Sequence, residues 1–225
     1  MSNSVLRFSS LTKKFIMALA GLFLILFLFV HLTINLLLLF DSSGELFNKA
    51  AHLMAHNPLI QTFQWVLFAG FIIHMIYGVI LQIQNWSARP TRYKVEGYSH
   101  TSPFSKFMIH TAAIILIFLV IHLLNFFFKA KFGEIAEIQY GSKSYEDMGQ
   151  LVMQQFKIPW LVGFYVFALI VLAFHLHHGF QSAFQSMGWN HSRYTPFVKF
   201  LSVLIAVLVP LGFMAIPLSI YFDIV

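Results

Sequence analysis

The chain has 225 residues, of which 59% are hydrophobic and only 10% are charged, and its mean hydropathy is +0.77. This composition is far too apolar for a soluble domain and is typical of an integral membrane protein. The absence of cysteine excludes disulfides, thiolate metal sites, iron–sulfur clusters and thioether-bound haem. The 11 histidines are therefore the main coordinating groups of the sequence.

Five apolar segments are long enough to cross a bilayer, because a helix needs about 20 apolar residues to span the hydrocarbon core. They cover residues 15–40, 59–85, 103–129, 158–185 and 195–221. The small residues of MALAG (17–21) stand near the start of the first run, so we interpret this run as a retained span and not a cleaved signal peptide. We predict one all-α domain over 1–225, in which the first four spans form a bundle.

Two connecting segments are predicted to form short amphipathic helices on the outer side of the membrane. Residues 144–156 begin with a Ser-x-x-Asp capping pattern, followed by apolar residues at helical spacing. Residues 45–56 are expected to form a shorter helix of the same kind. At the other side, Pro90 in NWSARPTRY (85–93) is expected to end the second span. The fifth span holds Pro210 and Pro217 but no histidine, so we expect a kinked packing helix.

The distribution of basic residues predicts the orientation. With five spans, the side that holds the N-terminus carries Arg7, Lys13, Lys14, Arg89, Arg92, Lys94, Lys106, Arg193 and Lys199. The opposite side carries Lys49, Lys129, Lys131, Lys143 and Lys157. Because basic residues accumulate on the cytoplasmic side, we expect a cytoplasmic N-terminus and an outer C-terminus. The basic inner surface is also a candidate docking face for a cytoplasmic partner.

Four histidines fall into two pairs when they are placed by depth, at about 1.5 Å per helical residue. His31 in the first span and His122 in the third lie in the outer half of the membrane. His74 in the second span and His175 in the fourth lie in the inner half. Ionisable residues at such depth are rare and usually functional. Two pairs at two depths suit two haems, because haem iron takes axial imidazoles from opposite sides.

Glycines accompany two of these histidines. Gly70 and Gly78 flank His74 at four residues before and after it, on the same helix face, and could leave room for a flat macrocycle. Gly179 follows His175 by four residues in the same way.

The stretch AFHLHHGF (173–180) holds two more histidines close to His175. We choose His175 as the ligand because it shares the glycine spacing of His74. His178 lies on nearly the same helix face and is the rival candidate, whereas His177 points away from both. The rings that do not bind iron could bond haem propionates, backbone or water.

These features together resemble the five-helix, dihaem cytochrome b membrane anchor of succinate dehydrogenase and quinol:fumarate reductase. The resemblance covers essentially the whole chain. It rests on the histidine order in the first four spans, on the His-x-x-x-Gly of the fourth span, and on NWSARPTRY after the second. The stretch FHLHHGFQSAFQSMGW (174–189) is similar to the branch that has a single large cytochrome b polypeptide.

The resemblance implies two haem b groups, with His74 and His175 holding the inner one and His31 and His122 the outer one. It implies a bacterial cytoplasmic membrane location and docking on an iron–sulfur subunit, itself bound to a flavoprotein where succinate and fumarate interconvert. Electrons would pass between that partner and a membrane quinone, with menaquinone as the expected type. Catalytic residues for dicarboxylate chemistry and nucleic-acid binding are not expected.

One departure from the resemblance concerns proton transfer. Some members carry an acidic residue near the outer end of the second span, but this chain has no carboxylate between His56 and Asn85. Gln61 and Gln64 stand in that region instead. The quinone site and its proton route are therefore left open.

Three other interpretations compete. A membrane di-iron desaturase would use histidine boxes, and HLMAH (52–56) fits one, but HLHH (175–178) is one residue short of another and is predicted to lie toward the opposite side. A cytochrome b subunit of a hydrogenase or formate dehydrogenase would use similar histidine pairs, although the span count and histidine order favour the first interpretation. A haem-free transporter or structural protein is the last.

Overall fold

The computed structural model describes residues 9–87 and 107–225. Within these ranges, five helices are long and apolar enough to cross a membrane, and they indicate a multi-pass membrane protein. They are Leu11–Phe40, Pro58–Ser87, Met108–Phe132, Pro159–Ser186 and Thr195–Tyr221. The five predicted spans are thus confirmed. The expectations for Arg7, Lys106 and the segment with Arg89, Pro90, Arg92, Lys94 and Glu96 lie outside the described residues.

The described elements follow one another in a mostly helical chain. The helices are α1 (Ser10–Phe40), α2 (Glu45–His56), α3 (Pro58–Ser87), α4 (Met108–His122), α5 (Phe128–Phe132), α6 (Met148–Phe156), α7 (Pro159–Ser186) and α8 (Thr195–Tyr221). A π-helical turn, Leu123–Phe127, joins α4 to α5. The strands β1 (Glu137–Tyr140) and β2 (Lys143–Glu146) form an antiparallel hairpin in which Glu137 pairs with Glu146 and Tyr140 with Lys143.

The first span begins five residues earlier than the predicted residue 15. Ser9 caps α1 by accepting a hydrogen bond from the backbone N–H of Thr12 at 3.1 Å. A serine side chain in this position satisfies one of the free N–H groups of the first helical turn. The helix therefore includes Lys13 and Lys14, which the apolar run alone did not cover.

Four of the long helices form a ring. Helix α1 packs between α3 and α7, α4 packs against α7, and a sparse contact between α4 and α3 closes the ring. Helices α1 and α4 are therefore diagonally opposite, and so are α3 and α7. Helix α8 packs outside this ring against α7 and α1, and it runs continuously through Pro210 and Pro217.

Large apolar side chains are exposed along the long helices. On α3 they include Ile72, Ile76 and Val79, and on α8 they include Val203 and Leu211. Apolar side chains cost nothing when they face lipid, so this surface suits a protein that contacts membrane lipid.

A hydrogen-bonded hub joins α2 to the hairpin and α6. Asn48 is buried, with 1% of its surface exposed, and its amide nitrogen donates to the Tyr140 hydroxyl and to Asp147 Oδ1, each at 3.0 Å. Its amide oxygen accepts from the backbone N–H of Gly149 at 2.8 Å. One side chain therefore holds together segments about a hundred positions apart in the sequence.

The structure corrects two predictions for this region. The all-α prediction omitted the β1–β2 hairpin, whose strands are only four residues long; β1 alternates polar and apolar residues, but β2 does not. The predicted helix 144–156 also began too early, because Ser144 pairs with Gln139 in the hairpin. The actual cap is Asp147, which accepts from the Gln150 backbone N–H at 3.0 Å, and α6 begins at Met148. The predicted helix over 45–56 is present as α2.

Candidate cofactor site

Two histidine pairs lie between diagonally opposite helices of the ring. The imidazoles of His74 on α3 and His175 on α7 have ring centres 6.4 Å apart at an interplanar angle of 72°. The imidazoles of His31 on α1 and His122 on α4 have ring centres 5.7 Å apart at 86°. All four rings are half-buried. The two pairs lie at different levels along the helices. Tyr165 contacts His122, and His175 follows Tyr165 on α7 by ten residues, or about 15 Å.

Hydrogen bonds fix the protonation of the first pair. His74 Nδ1 lies 3.4 Å from the backbone oxygen of Met17, which can only accept, so this nitrogen donates. The Thr111 hydroxyl donates its one hydrogen to the Met108 carbonyl at 2.8 Å. The same hydroxyl lies 3.2 Å from His175 Nδ1 and must therefore accept from it. Both rings keep Nδ1–H, which leaves the Nε2 lone pairs available to a metal.

The second pair is held differently. His122 Nδ1 lies 3.4 Å from the Tyr165 hydroxyl, whose oxygen can accept a hydrogen bond from Nδ1–H. At His31 the neighbour of Nδ1 is the Asn35 amide nitrogen at 3.3 Å, which also donates to the His31 carbonyl at 2.8 Å. Because that neighbour is a donor, neutral His31 carries its proton on Nε2 here, and metal binding through Nε2 would need the other tautomer. Phe27 stacks on the His31 ring, with ring centres 5.3 Å apart, and covers one face of that ring.

The donor chemistry of the four histidines fits two haem irons. A metal with two imidazole nitrogens at about 2 Å on opposite sides separates the ring centres by about 6 Å. Both pairs lie close to that separation, and three of the four Nδ1 atoms lie near an oxygen that can accept a hydrogen bond from Nδ1–H. In metal-binding histidines, a hydrogen bond from the nitrogen that does not bind the metal orients the ring and sets its tautomer.

The glycines near His74 have different neighbours. A methyl group placed on Gly70 would lie 3.2 Å from Cδ1 of Phe23, so this glycine makes room for an α1 side chain. A methyl group on Gly78 would meet no atom of the described residues within 4 Å. Gly21 was not singled out from the sequence, yet it is the glycine closest to the ring: a methyl group there would lie 3.2 Å from Cε1 of His74. Its partner in space lies on another helix, which sequence spacing does not reveal.

His177, another histidine of the fourth span, faces α8. His177 Nδ1 lies 3.4 Å from the Ser202 hydroxyl on α8, and its Nε2 lies 3.3 Å from the Gln181 amide nitrogen. Ser202 is fully buried, so this network joins α7 to α8. The fifth span, α8, contains no histidine but contacts one on α7 through Ser202. His178 is half-buried and remains the rival of His175, but the ring that meets His74 is His175.

A second cluster of ligating side chains, His52, His56 and Glu146, lies away from the four-helix ring. The two histidines occupy one face of α2, and the glutamate ends β2. Partial burial raises the pKa of Glu146, but the hydrogen bond with His52 and the nearby imidazole charges outweigh it and hold this pKa below its usual value. The carboxylate is therefore ionised at neutral pH. The cluster does not include His175–His178, as a histidine-box di-iron site would require.

The contact between Gly21 and His74 gives a stability prediction. We expect Gly21→Leu to destabilise the protein by about 1–3 kcal/mol, because the added side chain must displace the His74 ring or separate α1 from α3. The matched control is Gly163→Leu on α7, an exposed position where a methyl group would meet no atom of the described residues within 4 Å. Thermal unfolding in detergent, followed by circular dichroism, measures both. Equal unfolding midpoints for the two variants would contradict the packing argument.

Comparison with known proteins adds no further identification: no protein-family model, curated protein or solved structure matches this chain.

Proposed function

We propose that the chain is the membrane-anchor, electron-transfer subunit of a succinate:quinone oxidoreductase. In this proposal it binds two haem b groups and carries electrons between a cytoplasmic iron–sulfur subunit and a membrane quinone. The observation that carries the proposal is the pairing of four half-buried histidines across the two diagonals of one helix ring. Chance polar residues in spans have no reason to meet two by two at two depths.

The chain's own residues would position the cofactors. His74 and His175 would hold one haem, and His31 and His122 the other, with bound haem supplying one-electron transfer. The Met17 carbonyl and the Thr111 hydroxyl keep the inner rings in the tautomer that binds through Nε2. The apolar helices around both pairs exclude water, and ring burial tunes the potential of a bound haem.

The charge distribution supports an electron donor on the inner side. Lys13 and Lys14 stand one turn from Met17, on the side of the His74–His175 pair, and Arg193 and Lys199 lie beside the start of α8. The acidic residues of the described chain lie at the other side, among the loops around α2 and the hairpin and after α8. Basic ends are typical of the cytoplasmic face, and they would attract an acidic partner surface.

An absorption spectrum of the purified chain tests the haem part of the proposal. We expect the spectrum of low-spin haem b and a pyridine haemochrome content of two haems per chain. A colourless chain, purified from haem-replete cells, would exclude every cytochrome interpretation and leave only the interpretations without haem.

Succinate then distinguishes between the cytochromes. In native membranes we expect succinate to reduce the haems and a flavin-containing subunit to co-purify with the chain. Haems that respond to hydrogen or formate and not to succinate would instead identify the subunit of a hydrogenase or formate dehydrogenase.

A further inference from the structure

The outer cluster His52, His56 and Glu146 has the donor set of a transition-metal site. Its ligand atoms all lie within 4.8 Å of one another. His52 Nδ1 lies 2.9 Å from Glu146 Oε2, and His56 Nε2 lies 3.4 Å from Glu146 Oε1. In a tetrahedral zinc site with bonds of about 2 Å, neighbouring ligand atoms stand about 3.3 Å apart. The two distances from the histidines to the Glu146 carboxylate are close to this value, and all three ligand atoms are near enough to contact one ion.

The position of the two histidines also suits one ion. They are four residues apart on α2, so their rings lie on one helix face, with ring centres 4.0 Å apart. This spacing is the one that places two imidazoles on a single zinc ion in helical sites. The glutamate comes from a different segment, and the Asn48 hub holds that segment against α2. The three ligands are thus held in place by contacts outside the cluster.

The hydrogen bond of His56 supplies an independent argument. Its Nδ1 lies 3.0 Å from the His52 carbonyl oxygen, so Nδ1 carries a proton and donates it. The other ring nitrogen, Nε2, faces the cluster and lies 3.4 Å from a carboxylate oxygen of Glu146. A backbone carbonyl on the far nitrogen is also the usual partner of a metal-binding histidine.

We infer that His52, His56 and Glu146 form a binding site for a divalent transition-metal ion, with zinc as the best match. Two imidazoles and one carboxylate are a set that zinc accepts, with a fourth position open to water. On binding, the His52 ring moves its proton from Nδ1 to Nε2, and the metal replaces that proton at Glu146. The ion would link α2 to β2. This inference is independent of the proposed electron-transfer function.

Zinc titration of the untagged, full-length protein in detergent tests the inference. We expect competition with a chromophoric zinc chelator to show one tight site per chain. His56→Ala should weaken zinc binding at least tenfold, because it removes one ligand. Glu146→Gln should do the same, because the amide keeps the side-chain shape but loses the charge. The matched control is His191→Ala, which removes an exposed histidine far from the cluster and should bind zinc like the wild type.

Loss of zinc binding in these variants can be distinguished from a loss of folding. The His56 side chain is 51% exposed, so its removal leaves no buried cavity. Hydrogen exchange of the β1–β2 segment in the absence of zinc should be the same in His56→Ala as in the wild type. Zinc should then slow exchange of this segment in the wild type alone. The inference is overturned if the wild type binds no zinc, or if His56→Ala binds zinc as tightly as the wild type does.

Discussion

Replacing His74 or His175 with alanine is expected to lower the haem content from two per chain to one. Each ring lies opposite the other across the α3–α7 diagonal, so under the proposed function loss of either would leave one haem iron with a single imidazole. The Nδ1 bonds to Met17 and Thr111 leave the Nε2 lone pair of both rings available. Pyridine haemochrome analysis of the purified variants gives the count, and succinate-driven quinone reduction should fall to background.

The neighbouring ring provides the matched control. His178→Ala is expected to retain both haems, because His178 shares the helix and the depth of His175 but is not the ring that meets His74. A variant set in which His178→Ala loses a haem while His175→Ala keeps both would assign the ligand to His178 and refute the pairing proposed here.

The second large effect is expected at Asn48. Asn48→Ala should destabilise the region of α2, the hairpin and α6 by about 2–4 kcal/mol, because it leaves the buried Gly149 N–H without an acceptor and Asp147 and Tyr140 without a donor. Hydrogen exchange measured by mass spectrometry should show faster exchange over α2, the hairpin and α6, with little change in the long helices.

An exposed asparagine serves as the control for this prediction. Asn190 lies in the loop before α8 and its side chain is exposed, so Asn190→Ala should change the free energy of unfolding by less than about 0.5 kcal/mol. If Asn48→Ala exchanges like the wild type, the hub does not hold α2 against the hairpin.

The spans could be predicted from sequence because their evidence is local. An uninterrupted apolar run longer than the bilayer is thick leaves few alternatives to a helix, since every backbone polar group must be satisfied inside the segment. Counting residues along each span also predicted that His31 and His122 lie at one depth and His74 and His175 at another. The structure brings the members of each pair together. Their binding of haem remains a prediction.

The parts that sequence reasoning missed depend on contacts between distant segments. The Met17 group that bonds His74 is a backbone carbonyl, which every residue has, so the identity of residue 17 does not predict this contact. The hairpin strands are four residues each, and only β1 shows a period of two, which is too short a pattern to outweigh the helical assignment of this region. Asn48 became a hub only because Tyr140 and Asp147 fold next to it. The pairing of His52 with Glu146 has the same origin.

The diagonal arrangement also constrains the order in which the chain can be assembled. The pairs are interlaced along the sequence, since the first span meets the third and the second meets the fourth. During synthesis from the N-terminus, the His31–His122 couple becomes complete once the third span has been inserted, whereas His74 must wait for the fourth. Phe213, which packs on His31 with ring centres 5.6 Å apart, arrives last with the fifth. A nascent chain halted after its third span would thus contain the complete His31–His122 pair, whereas His74 would still lack His175.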